Sequence, residues 1–210
     1  SVMLIRAGVS PIATLPIAFL AGALAGMVTG LLNTALGIPG ILASILTQIS
    51  LYSINLNIMG KANQPVSVDN YPLVVSLRYV TDGSVSRLLF FLGMIVFLLA
   101  LIAVMYWYFG TEQGHAIRAT GCNSNMARAQ GINTNANVVL GLMVSNGLVA
   151  LSGGLLAQYQ KSSDINVGTG MVTIALASLI IGETLVGKRT MVRRVLGVVF
   201  GSCLYRFIVA

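Results

Sequence analysis

Ala116-Ile-Arg-Ala-Thr-Gly-Cys-Asn-Ser-Asn-Met-Ala-Arg-Ala-Gln-Gly-Ile-Asn133 is a long polar interval between two apolar runs, each long enough to cross a bilayer. Its punctuation predicts a defined shape. A helix descending from the first run can stop at Gly121, which takes the left-handed position that ends many helices. Asn123 or Ser124 can cap a fresh helix, and Gly131 can end it two turns later. Such a helix is roughly 10–12 Å long at about 1.5 Å per residue. Between two spans, it offers a soluble partner something to grip outside the membrane.

Working outward, composition sets the class. The chain is 56% hydrophobic and 8% charged, with a mean hydropathy of +0.89, whereas soluble domains carry roughly a quarter charged residues. Its 23 glycines suit membrane helices better than soluble ones. A polytopic membrane protein follows, with lipid as its surroundings. The pI of about 9.9 would suggest nucleic acid in a soluble chain; here the basic residues flank apolar runs, so topology explains them and no nucleic-acid partner is expected. Cys122 and Cys203 lie in a loop and a span and read as unpaired, and the single histidine, His115, has no metal-ligating neighbours. No metal site is expected.

The apolar runs predict an all-α, polytopic membrane helical bundle forming one domain over residues 1–210. Five full spans fall at 11–36, 38–59, 88–109, 136–159 and 171–186, and a sixth begins at 195. At about 20 residues per crossing, the fifth is short enough to be tilted or broken. A chain that begins at Ser1 and stops inside an apolar run reads as part of a longer one, with further spans at one or both ends. Lysines and arginines orient the bundle. The loops at 110–135 and 187–194 hold Arg118, Arg128, Lys188, Arg189, Arg193 and Arg194; the opposite side holds Lys61, Arg78, Arg87 and Lys161, diluted by Asp69, Asp82 and Asp164. The positive-inside rule puts 110–135 in the cytoplasm and makes 60–87 an external loop.

Within the spans, Gly22, Gly26 and Gly30, and again Gly197 and Gly201, recur every fourth residue and permit close helix approach, more readily inside one chain than at a dimer seam. Asn33, Gln48, Asn55, Asn57, Ser145, Asn146 and Gln158 are costly in hydrocarbon unless they face protein or water. Singly, each reads as an interhelical hydrogen bond; as a set, they suggest a polar path for a zwitterionic solute. Glu183 reads as a neutraliser of Lys188 or Arg189. No carboxylate pair or nucleophile–base set points to an enzyme. No Gly-x-x-x-x-Gly-Lys-Ser/Thr loop is present, so ATP is not bound by that route.

The segment from Arg118 to Asn133 resembles the coupling loop of permease subunits from ABC importers of the branched-chain amino acid and ribose type. Gly147-Leu-Val-Ala-Leu-Ser-Gly-Gly-Leu-Leu-Ala157 and Ala177-Ser-Leu-Ile-Ile-Gly182 resemble the two helices that follow there. The likeness looks closest to the branched-chain-amino-acid-like subgroup linked to aromatic amino acids, and Glu183, where many sugar-importer relatives carry Gly, speaks against a sugar. The resemblance implies a bacterial inner or plasma membrane subunit for a small polar solute, an amino acid in kind, that works by alternating access. It implies a homodimer of permeases, a cytoplasmic ATP-binding subunit carrying ATP and Mg, and an extracellular or periplasmic substrate-binding protein. Contact with the ATPase would fall on Arg118, Gly121, Asn123, Ser124, Asn125, Met126, Ala127, Arg128 and Gly131. Met126 and Ala127 would form a small apolar ridge lying in water when the partner is absent, and the two arginines would pair with acidic residues. The alternative is a secondary transporter driven by an ion gradient, which needs intramembrane carboxylates.

Overall fold

The computed structural model describes residues 2–6, 8–61, 63–65, 84–165, 167–187 and 191–209. Lys188 and Arg189, and the acids Asp69 and Asp82, fall outside them, so the pairing expected of Glu183 does too. The elements in chain order are α1 (Val2–Arg6), α2 (Pro11–Thr34), α3 (Gly40–Met59), β1 (Asn63–Pro65), α4 (Ser84–Phe109), α5 (Glu112–Cys122), α6 (Ser124–Ala129), α7 (Thr134–Gln160), β2 (Ser162–Asp164), α8 (Val167–Val186) and α9 (Met191–Val209). Helices α2, α3 and α7, with the Leu92–Phe109 part of α4, are long and apolar enough to cross a membrane; α8 and α9 carry the shorter apolar stretches Met171–Val186 and Val195–Ile208. The expected all-α bundle is present. The fifth predicted run is less short than its hydropathy suggested, because helix α8 starts four residues earlier, at Val167.

The chain forms two compact units, 1–93 with 109–165, and 94–108 with 166–210. The first is organised by α2 lying antiparallel on α7. Their glycines set the distance. A side chain at Gly22 would meet Asn146 and Ala150, one at Gly26 would meet Leu142 and Met143, and one at Gly30 would meet Val139. Gly147 of α7 returns the favour for Phe19, whose ring lies where a Cβ would stand. Without lipid-excluded water to drive helices together, such backbone-to-backbone approach supplies the packing. The glycine repeat is therefore occupied inside the chain. The second unit uses the same device, with Gly182 against Gly197 and Gly201 against Ser178 where α8 crosses α9.

Helix α3 joins α2 through Thr29 Oγ1, which donates to Thr47 Oγ1 at 2.9 Å, and through the buried Ala43. The turn between them is closed by Asn33 Nδ2 donating to the Ile38 carbonyl at 2.8 Å, with Gly37 at φ 66°. Short α1, which apolar runs did not announce, touches α2 and α7 and buries Val2 and Ile5. At the far ends of α3 and α7 the chain forms a two-stranded antiparallel ribbon, pairing Asn63 with Asp164, Gln64 with Ser163 and Pro65 with Ser162. Lys161 enters it from α7 in the left-handed conformation, φ 57°.

Candidate functional site

The polar loop folds into two short helices sharing one residue. Helix α4 ends at Phe109, and Thr111 starts α5 afresh by accepting from Gly114 N at 3.3 Å. Glu112 sits in that first turn, where the amino-terminal dipole favours a carboxylate. Helix α5 lies on α7, with Ile117 over Gly141 and Gly114 and Thr120 buried. Asn123 then does two things. Its N–H donates to the Ala119 carbonyl at 3.0 Å, closing α5, and its Oδ1 accepts from Asn125 N and Met126 N, each at 3.1 Å, opening α6.

The cap expected at Asn123 is there, and Gly131, at φ 81°, ends α6. Its amide donates to the Arg128 carbonyl at 2.9 Å and Ile132 N to the Ala127 carbonyl at 3.0 Å, the paired bonds of a Schellman motif. Gly121 is a correction. It is not a left-handed terminator but an interior residue of α5, because extended Asn123, at φ −154° and ψ 101°, stops the helix instead. The incoming span does not reach Gly121 either. The signal for that break was available in Thr111-Glu112, a capping residue followed by an acid. Asn133 is a second unforeseen cap, its Oδ1 accepting from Ala136 N at 3.2 Å to begin α7.

The faces of α6 differ from expectation in one respect. Met126 is 60% exposed, but Ala127 is only 2% exposed, so Ala127 is no part of a ridge in water. Ala127 lies in the final turn, and its carbonyl accepts from Ile132 N; in a Schellman motif an apolar contact between those two positions is frequent. Asn123, Ser124, Asn125, Arg118, Gly121 and Cys122 are exposed. Arg118 makes no hydrogen bond or ion pair among the described residues. Arg128 does: Nε donates to Thr134 Oγ1 at 2.7 Å and Nη2 to Asn135 Oδ1 at 3.3 Å. The α6 surface and the β1–β2 ribbon stand at opposite ends of α7, about 40 Å apart for its 27 residues at roughly 1.5 Å each.

The polar span residues separate into two groups. Asn33 closes the α2–α3 turn, Asn146 Nδ2 donates to the Leu142 carbonyl of its own helix at 2.9 Å, and Gln158 is 1% exposed. Gln158 Nε2 donates to the Pro11 carbonyl at 3.2 Å and Thr14 Oγ1 at 3.4 Å, locking α7 to the start of α2. Gln48, Asn55 and Asn57 of α3, and Ser145 of α7, are exposed, and the three α3 amides have no partner among the described residues. Both cysteines are free and exposed.

The family described as branched-chain amino acid transport system / permease component matches residues 1–210. This chain belongs to that family. It is a multi-pass membrane permease of the branched-chain amino acid and ribose type. The tyrosine transport system permease protein of Clostridioides difficile (strain R20291) is 38% identical over 95% of this chain and 64% of its own length. The inner membrane ABC transporter permease protein YjfF of Escherichia coli (strain K12) is 27% identical over 92% of this chain and 57% of its own. The ribose import permease protein RbsC of Haemophilus influenzae (strain ATCC 51907 / DSM 11121 / KW20 / Rd) is 25% identical over 92% of this chain and 58% of its own. The permease chain thus spans about three-fifths of the length of these relatives. No solved structure matches it.

Proposed function

We propose that this permease chain is part of the membrane subunit of an ATP-driven importer, and that α6 is where a separate cytoplasmic ATPase docks. The observation that carries the reading is the loop itself: a helix capped at both ends, exposing Met126 and the Asn123–Asn125 edge. It stands at one end of the α2–α7 pair. Arg118, exposed on the adjoining α5, supplies a cation for an acidic partner. With the loop at 110–135 in the cytoplasm, the ribbon of Asn63–Pro65 and Ser162–Asp164 falls on the outer face, where a substrate-binding protein would deliver its cargo. The assembly we envisage pairs two permease copies with two ATPase subunits carrying ATP and Mg.

The cargo we favour is an amino acid, a reading supported by the relative named for tyrosine transport. The exposed amides of α3 support it too. Gln48 and Asn55 are seven residues apart, two turns along one stripe, and amides without partners are costly against lipid. Facing a passage between subunits, they would offer donors and acceptors to a zwitterion without trapping it. Alternating access then follows: nucleotide closes the ATPase pair, α6 moves with it, and the passage changes sides. To test the docking, Met126→Asp is introduced into the full-length permease expressed with its ATPase. Placing an unpaired charge in a packed groove costs desolvation, so co-purification and transport are lost while membrane abundance holds. Unchanged co-purification would sink the reading, as would uptake by the permease alone under an ion gradient.

A further inference from the structure

The two arginines of the loop are not equivalent. Arg118 is exposed, with no partner among the described residues. Arg128 reaches back across the turn that ends α6, and two of its nitrogens are engaged in α7: Nε with Thr134 Oγ1 at 2.7 Å and Nη2 with Asn135 Oδ1 at 3.3 Å. Thr134 is the first residue of α7 and is 4% exposed. Beneath this fork the backbone is already closed, by Gly131 N to the Arg128 carbonyl and Ile132 N to that of Ala127. Backbone and side chain together fix the angle between α6 and α7. Helix α7 in turn meets α2 with carbonyls where side chains would stand, at Gly22 and Gly26. At these two positions backbone lies directly on backbone, with little between the helices to absorb movement.

We propose that Arg128 is a positioning residue, whose guanidinium fastens α6 to the first turn of α7 so that displacement of α6 reaches the α2–α7 pair without slack. This rests on α6 being the ATPase dock. The task requires arginine, because a planar fork holds two acceptors at set angles while a lysine ammonium is a single mobile point charge. It differs from an arginine that pairs with an acidic residue of the ATPase, where lysine would largely suffice.

The experiment uses the full-length permease assembled with its ATPase and binding protein in liposomes. Two readouts are followed: solute moved per ATP hydrolysed, and ATPase retained on purification. Arg128→Lys and Thr134→Val each lower solute per ATP by about tenfold, the scale of one charge-assisted hydrogen bond, while the ATPase stays bound. The double variant is no worse than either single one. Thr134→Ser, which keeps the hydroxyl and loses the methyl, behaves like the parent. Should Thr134→Val fail to insert, the exposed Asn135 provides the same test through Asn135→Leu, which removes the second acceptor and lowers the ratio more mildly. An active Arg128→Lys beside an inert Thr134→Val overturns the proposal in favour of a pair with the ATPase. A Thr134→Ser worse than Thr134→Val overturns it in favour of packing. If Met126→Asp leaves the ATPase bound, the docking reading itself falls, whatever the Arg128 variants do.

Discussion

Gly26→Ala puts one methyl where α2 and α7 leave no space. A Cβ at Gly26 lands on the Leu142 carbonyl oxygen, 2.8 Å from its carbon and 2.9 Å from Met143 Cα. Carbon pairs rest at about 3.5–4.0 Å, so the shortfall against Met143 is at least about 0.6 Å. All three atoms are backbone of a regular helix, so nothing there swings aside; the helices must separate, and the neighbouring contacts at Gly22 and Gly30 loosen with them. Overpacking of this kind costs about 1–3 kcal/mol, roughly a 5- to 150-fold fall in the folded-to-unfolded ratio. Gly153→Ala is the control. It lies in the same α7, exposed, with nothing within 4 Å of an added Cβ, and trading glycine for alanine in a helix favours folding by up to about 1 kcal/mol. Denaturant titration of the purified permease in detergent, followed by tryptophan fluorescence from Trp107 or by circular dichroism, reads both. Opposite signs are expected. Equal midpoints for the two variants would refute the close approach of α2 and α7.

Gln158→Leu removes the donor to Pro11 and Thr14; because Thr14 Oγ1 still donates to the Pro11 carbonyl at 2.7 Å, the loss is modest, about 1 kcal/mol. It should appear in thermal stability with solute selectivity unchanged, whereas altered selectivity would return Gln158 to the passage. Asn123→Ala strips the acceptor from two amides and costs about 0.5–2 kcal/mol locally. Hydrogen exchange at Asn125 and Met126 should quicken, and Asn123→Asp should prevent it. Single cysteines at Lys61 and Ser124, in a variant cleared of every native cysteine, Cys122 and Cys203 included, should respectively react with and resist a membrane-impermeant thiol reagent in intact cells. The reverse would invert the bundle.

Much of this was legible in the sequence because membrane spans announce themselves by length and apolarity, and caps by residue type. Asn123 and Gly131 are examples: an amide cap and a left-handed glycine act through their own backbone and need no distant partner. What stayed hidden depended on three-dimensional neighbours. Ala127 looks the same in sequence whether it faces water or protein, and only the folded chain, where it is buried, decides it. The partners of Arg128 lie six and seven residues on, across a reversal of direction that no periodicity reveals. Gln158 and Pro11 are brought together by the antiparallel register of α2 and α7, which the glycine repeat permits but does not specify. The β1–β2 ribbon pairs segments a hundred residues apart, each only three residues long, too short to show alternation. Glu183 kept its role open, since the cations expected beside it fall outside the described residues.

The central claim is that an ATPase grips α6. Met126 is the residue to ask, being the large apolar side chain that this helix exposes. A cysteine at Met126, in the full-length permease cleared of every native cysteine, Cys122 and Cys203 included, and assembled with its ATPase, should cross-link to the ATPase through a short bifunctional reagent. A cysteine at Lys61, at the other end of α3 beside the ribbon, should not. Cross-linking from Lys61 and none from Met126 would contradict the account outright.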